Sequence, residues 1–352
     1  MNSLSVLHVL GALISGGAEN LVVQLLMDLK QNGTEVSLFV YSSKIDKKGK
    51  SNLEKLKENG INVYFGSSSR LNFLTIIQYL KFVQKIKPAV IHYHLPKHDI
   101  LHISSKYFFK YKSVRTIHNV KTTKKEILLL KLSNYDHLIA CSSSCYQVFE
   151  KKNISTILIR NGIKFNYSVI RNGEQINTPI RFCAVGRMEG EDIFSMAKGF
   201  DLLIYAWINA HMGLANHKLS IYGTGKLEKE LKNIANNDKS ISFLGISEDI
   251  QGVFLNTDVL IMPSRFEGLP LVAIEAIGSG LSCVFSDIPE LSFLTHNVSY
   301  FKSNSITSLT RVLSKFRKES KFYTKKFITE DFRMSYSSIS MMEKYLKVYL
   351  TK

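Results

Sequence analysis

Short apolar runs alternate with segments of helical apolar spacing along most of the chain. This is the pattern of parallel strands covered by helices on both faces. In the first half the predicted strands are Ser5–Leu10, Glu35–Tyr41, Ile61–Phe65, Ala89–Tyr93, Ser113–Ile117, His137–Ala140 and Thr156–Ile159. Amphipathic segments lie between most of them, such as Ala18–Gln31 and Leu71–Lys87. Residues 166–179 are polar and lack an apolar period, so a linker is placed there. The rhythm then resumes, with strands predicted at Arg181–Val185, Lys218–Tyr222, Ser240–Phe243, Asp258–Met262 and Ser282–Phe285. The chain closes on one predicted helix, Asp331 to Leu350, whose apolar side is rich in Met and Tyr. An α/β chain of two doubly wound domains is expected, with a ligand crevice between the carboxyl ends of their strands.

The length of 352 residues suits two cores, and 45% hydrophobic with 21% charged residues is an ordinary globular composition. No uninterrupted apolar run is long enough for a transmembrane helix. The opening run Val6–Leu10 lacks the basic region and cleavage site of a secretory signal, so the expected address is the cytoplasm. Cys141, Cys145, Cys183 and Cys283 complete no zinc pattern and suit a reducing compartment. The net charge of +17 is uneven. Residues 1–165 hold 24 Lys and Arg against 10 Asp and Glu, and residues 166–352 hold 22 against 19. The basic first half can face nucleic acid, an anionic membrane or an acidic substrate. No aromatic–basic platform of a nucleic-acid binder accompanies it, so no nucleic-acid partner is expected.

The densest chemistry lies in Pro263–Ala276, which reads as strand end, tight loop and helix start. Gly268 admits close backbone approach, Pro270 suits a first helical turn, and free N–H groups at a helix start favour an anion or a hydroxyl oxygen. Glu267 and Glu275 are carboxylates able to accept paired hydroxyls of a ribose or pyranose. Arg187, after a predicted strand, and Lys198 are cations suited to a departing diphosphate. Gly16 and Gly17 open a helix after the first strand, in a spacing that is not the dinucleotide fingerprint. Gly223 stands at another strand–helix turn, and His118 ends the strand Ser113–Ile117. His92, His94, His98 and His102 invite a metal reading, but among carboxylates only Asp99 accompanies them, and no metal is expected.

The run Glu267-Gly-Leu-Pro-Leu-Val-Ala-Ile-Glu275-Ala resembles the E-x7-E signature of retaining glycosyltransferases of family 4, with the GT-B fold. Gly186-Arg187 with Lys198-Gly199, the Gly16-Gly17-Ala-Glu loop, Thr116-Ile-His118-Asn119 and the Asn161-Gly162 turn are similar to further segments of that family. The resemblance implies two Rossmann-like domains facing a central cleft: an acceptor domain, 1–165, and a nucleotide-sugar domain, 180–330, with 331–352 packing back on the first. It implies transfer of a hexose-type sugar from a nucleotide sugar, most readily a UDP-sugar, to a lipid-linked or saccharide acceptor in surface-polysaccharide synthesis (capsule or O-antigen). A nucleotide-sugar epimerase shares the fold and is the alternative; its product would be an altered free nucleotide sugar. Arg187 and Lys198 would hold the diphosphate, with Gly16 and Gly17 helping. Glu275 would bind the ribose. Glu267 with Gly268, Leu269, Pro270 and Leu271 would hold the sugar, Gly223 would line the nucleotide pocket, and His118 would stand near the donor sugar. No cofactor is implied. The family pair corresponding to Arg187 and Lys198 is usually closer in sequence; here an acidic segment, 189–196, intervenes, and it either bulges out or disturbs the site. Basic, aromatic-rich stretches at Lys106–Lys112 and Lys121–Lys131 suggest peripheral binding to an anionic inner membrane face, or two ordinary amphipathic helices.

Overall fold

The computed structural model describes residues 4–14, 16–68, 72–118, 123–165, 179–267, 270–318 and 330–351. Asn119, Gly268, Leu269 and nearly all of the expected linker lie outside them. The chain divides into two compact units, one of residues 1–164 with 335–352 and one of residues 165–334.

The first unit is built on strands β1 (Ser5–Leu10), β2 (Glu35–Ser42), β3 (Asn62–Ser68), β4 (Val90–Tyr93), β5 (Lys112–Ile117), β6 (His137–Ala140) and β7 (Ile157–Leu158). They form one parallel sheet in the order β3-β2-β1-β4-β5-β6-β7. Its helices are α1 (Gly17–Gln31), α2 (Lys47–Glu58), α3 (Phe73–Ile86), α4 (Asp99–Ser105), α5 (Lys124–Ser133) and α6 (Ser143–Glu150). Val6 to Leu10 and all of β4 are buried, as strands covered on both faces must be. In α1 the buried Leu21, Val22, Leu25, Leu26 and Leu29 recur at helical spacing.

The second unit has β8 (Arg181–Val185), β9 (Lys218–Tyr222), β10 (Ile241–Gly245), β11 (Val259–Met262), β12 (Ser282–Ser286) and β13 (Val298–Phe301). Their order is β10-β9-β8-β11-β12-β13, again parallel. The helices are α7 (Phe200–Asn209), α8 (Glu228–Ala235), α9 (Ile250–Leu255), α10 (Leu271–Gly278) and α11 (Ile306–Lys318). Trp207 anchors this core: Phe182 meets its ring edge-on at 5.2 Å, and its Nε1 donates to Ser240 Oγ at 2.9 Å. In both sheets the strand order reverses beside the first strand, between β1 and β4 and between β8 and β11. A doubly wound sheet places its ligand at that point.

Two expectations need correction. The edge strand β13 escapes the sequence pattern because only Phe301 of its four residues is buried. The closing segment is two helices, α12 (Glu330–Tyr336) and α13 (Ser338–Leu350). Ser337 breaks the run by staying extended, and its side chain accepts from Ser340 N–H at 3.0 Å. There the backbone turns to pair with Ile163, which donates to Tyr336 O and accepts from Ser338 N–H, both at 2.8 Å. From that point α13 packs on α1 in the first unit. All four cysteines are buried, and none of them is in a disulfide. No helix among the described residues is long and apolar enough to cross a membrane.

Candidate active site

The carboxyl ends of β8 and β11 bring together most of the residues singled out in the second unit. Beyond β8 the backbone keeps pairing, with Gly186 N–H donating to Tyr222 O (2.9 Å) and Met188 N–H to Thr224 O (3.0 Å). Arg187 between them therefore has a fixed backbone, while its side chain is exposed. Gly223, at the end of β9, has φ +131°, and a Cβ there would stand 1.8 Å from Gly186 O, so only glycine lets the two turns touch.

The acidic segment bulges outward and closes on itself. Ser195 Oγ accepts from the N–H groups of Glu191 and Asp192, and Ser195 N–H donates to Asp192 Oδ1 at 2.7 Å. Both of its flanks, Met188 and Met196, are fully buried. Lys198 stays beside Gly186. Gly199 has φ +61° and caps α7 so closely against Pro263 O that a Cβ would stand 2.1 Å away. The lysine is thereby locked to the loop that follows β11.

That loop supplies its partner. Lys198 Nζ donates to both oxygens of Glu267, at 2.7 and 2.8 Å. Glu267 is buried, and its Oε1 also accepts from Ser264 Oγ at 2.6 Å. Ser286 Oγ in turn donates to Ser264 O. Arg265 donates from Nη1 and Nη2 to the two oxygens of buried Asp201, at 2.8 and 2.6 Å, and from Nη1 to Met196 O at 3.1 Å. This second ion pair ties the β11 loop to the first turn of α7 and to the end of the bulge. Sequence reading gave Ser264, Arg265 and Asp201 no role. Their only signal was polarity beside the two motifs, and which charges meet is settled by the fold.

Pro270 is the N-cap of α10 rather than a residue of its first turn, and Leu271 begins the helix. Glu275 lies one turn further on and is half-buried. Burial raises its carboxyl to about 7. A carboxylate there is under-solvated and favours hydroxyl donors.

In the first unit Gly16 is the N-cap of α1, and Gly17 is exposed at its first position. His118 follows β5, and its Nε2 lies 3.2 Å from His94 Nδ1. Burial, helped by the Arg115 charge, lowers its pKa to about 3. The four histidines read together in the sequence separate. His98 Nδ1 accepts from Leu95 N–H (3.2 Å) at the turn before α4, and His102 Nδ1 bonds Tyr111 Oη (2.9 Å). His92 and His94 instead meet His8 of β1, and the three rings bring nitrogens within 4.8 Å of one another. His8 was legible only as a polar residue inside an otherwise apolar strand.

Residues 15–166 match the family model described as Glycosyltransferase Family 4, and residues 179–313 that described as Glycosyl transferases group 1. An uncharacterized glycosyltransferase of Haemophilus influenzae is 31% identical over 129 residues, 34% of this chain and 36% of that protein. The Escherichia coli UDP-Gal:alpha-D-GlcNAc-diphosphoundecaprenol alpha-1,3-galactosyltransferase is 36% identical over 81 residues, 22% of this chain and 21% of that one. The matched stretches thus span about a third or less of these relatives. The crystal structure of Anabaena HepE with UDP and glucose has a TM-score of 0.77 at 14% identity, covering 98% of this chain and 99% of that one, which speaks to the fold alone. With a family model matched in each half, and two doubly wound sheets beneath them, the chain belongs to the family 4 glycosyltransferases of the GT-B fold.

Proposed function

We propose that this glycosyltransferase moves a hexose-type sugar from a UDP-sugar, with retention of configuration, to a polyprenyl-diphosphate-linked or saccharide acceptor in surface-polysaccharide synthesis. The observation that carries the reading is the Lys198–Glu267–Ser264 cluster beside the exposed Arg187, at the switch point between β8 and β11. The activity named for the E. coli relative and the ligands of HepE agree in chemistry with a UDP-sugar and a lipid diphosphate.

In this mechanism the bond from the anomeric carbon to the β-phosphate oxygen breaks, and its electron pair leaves with UDP. The acceptor hydroxyl oxygen bonds that carbon, and its proton passes to the departing phosphate. Arg187 and Lys198 meet the charge that develops on the phosphate, so no divalent ion or other cofactor takes part. Glu267 keeps Lys198 oriented and has lone pairs left for a sugar hydroxyl. The N–H groups of Gly268, Leu269 and Leu271 can add to it, whereas Pro270 has none. Glu275 accepts from the ribose, Gly223 lets the nucleotide approach the backbone, and Gly16 and Gly17 offer amides to an anion. His118 stands near the donor sugar. A panel of nucleotide sugars, scored for nucleoside diphosphate release with acceptor present, tests the reading. An altered free nucleotide sugar with no transfer would refute it.

The first unit is proposed to bind the acceptor at an anionic membrane surface. Tyr107, Phe108, Leu128 and Leu132 are all more than half exposed, and Lys106 Nζ donates to the carbonyls of Leu132 and Ser133, joining the two stretches. Lys110, Lys124 and Lys125 are exposed as well. Lys112 is not part of this face, because its Nζ bonds the carbonyls of Val348, Tyr349 and Thr351 at the end of α13.

A further inference from the structure

A continuous run of side-chain hydrogen bonds joins His118 to the last helix, reaching it at Tyr349 and again at Tyr345. His118 Nε2 meets His94 Nδ1 (3.2 Å), and His94 Nε2 meets His8 Nδ1 (3.0 Å). His8 Nε2 meets Tyr349 Oη (3.5 Å), which meets His92 Nδ1 (2.6 Å). His92 Nε2 meets Thr116 Oγ1 (2.7 Å), and Thr116 Oγ1 meets Tyr345 Oη (3.1 Å). His8 lies within β1, His92 and His94 at the carboxyl end of β4, His118 just after β5, and both tyrosines in α13. His8, His92, His94, Thr116, Tyr345 and Tyr349 are all buried.

Counting protons gives the chain a direction. Burial lowers the pKa of all four histidines, so each is neutral and carries one N–H. At the far end, fully buried Tyr345 has Thr116 as its hydrogen-bond partner, so its O–H must donate there or be left unsatisfied. Thr116 O–H then donates to His92 Nε2, and His92 Nδ1–H to Tyr349. Tyr349 O–H donates to His8 Nε2, His8 Nδ1–H to His94 Nε2, and His94 Nδ1–H to His118 Nε2. Every link is satisfied, and the last proton falls on His118 Nδ1, a buried atom with no hydrogen-bond partner among the described residues. The opposite direction would orphan Tyr345 O–H.

We propose that His8, His92, His94, Tyr345 and Tyr349 are positioning residues that hold His118 as its neutral Nδ1–H tautomer. His118 then offers a hydrogen-bond donor to a substrate oxygen and does not act as a base. The catalytic consequence rests on the glycosyltransfer reading above; the tautomer does not. His118 and His94 also line a cavity of about 230 Å³ with Leu95, Arg115 and Glu126. The alternative use of His8, His92 and His94 is a metal site, which requires one nitrogen of each ring to give up its hydrogen bond.

The test is a long-range ¹H–¹⁵N correlation spectrum of the full chain labelled with ¹⁵N-histidine, which distinguishes Nδ1–H from Nε2–H. His8, His92, His94 and His118 should all read as Nδ1–H and stay neutral well below the pH at which an ordinary imidazole takes up its proton. Tyr345→Phe removes the terminal donor, so His118 should gain Nε2–H character, and kcat should fall about tenfold with the KM for UDP-sugar unchanged. An Nε2–H tautomer of His118 in the wild type overturns the proposal, and so does one stoichiometric zinc in the purified protein. The spectrum decides this even if Tyr345→Phe does not fold, and even if UDP-sugars prove not to be the donor.

Discussion

Replacing Glu275 by Gln isolates one under-solvated charge. Burial lifts this carboxyl from an ordinary 4.5 to about 7 in the folded protein. At 1.36 kcal/mol per pH unit the displacement is worth about 3 kcal/mol; water reaches part of the side chain, so about 2 kcal/mol is the working figure. Between 4.5 and about 7 the unfolded carboxyl has lost its proton while the folded one keeps it. The folded state binds more protons there, so its stability falls as pH rises, and the full penalty is present above about 7. Glu275→Gln lacks this penalty. It should match the wild type near pH 4.5 and exceed it at about pH 8, by about 4–8 °C in Tm for a unit of this size. Ligand affinity should move the other way. UDP-glucose has no group that titrates near neutrality, and the carboxylate form accepts ribose hydroxyls best. Wild-type affinity measured by calorimetry should therefore rise about tenfold from pH 6 to pH 8, with proton release, and Glu275→Gln should bind more weakly with no such slope. Parallel pH–stability curves for the two proteins would refute the buried-charge argument. A flat wild-type affinity would remove Glu275 from the nucleotide site.

The remaining expectations concern the cations. Arg187→Ala should lower turnover at saturating donor by about 10²-fold, roughly 3 kcal/mol, and Arg187→Lys should restore part of it, as steady-state kinetics would show. Lys198→Met strands the buried Glu267 carboxylate, so it should lower Tm more than Glu267→Gln, which leaves a lysine that still reaches water; a loss of about 2 kcal/mol is expected by calorimetry. Transfer activity should persist in EDTA, and loss restored by Mn²⁺ or Mg²⁺ would count against side-chain cations as the phosphate's partners. The wild type should co-sediment with anionic liposomes less as salt rises, and Lys110, Lys124 and Lys125 changed together to Glu should release it, each cation adding about 1 kcal/mol at low salt.

The strands were legible in the sequence wherever they are buried on both faces. Apolar runs such as Val6–Leu10 and Val259–Met262 leave one reading, because a parallel sheet covered by helices demands them. The strand end before Glu267 and the helix start before Glu275 were legible for a similar reason, since both are local. β13 was not legible, as its pairing with β12 rests on backbone bonds at a half-exposed edge. Nor was the break at Ser337, which depends on pairing with Ile163, far away along the chain. Spacing alone left Lys198 open, and the fold put it on Glu267 by burying both ends of the bulge and capping α7 with Gly199. The histidines show the limit most clearly. His92, His94, His98 and His102 are neighbours in the chain, yet two of them serve local turns and contacts, and the other two join His8, His118, Tyr345 and Tyr349. A sequence determines which groups can donate and accept. Only tertiary structure brings β1, β4, β5 and α13 together, and burial then requires each of their polar atoms to find a partner.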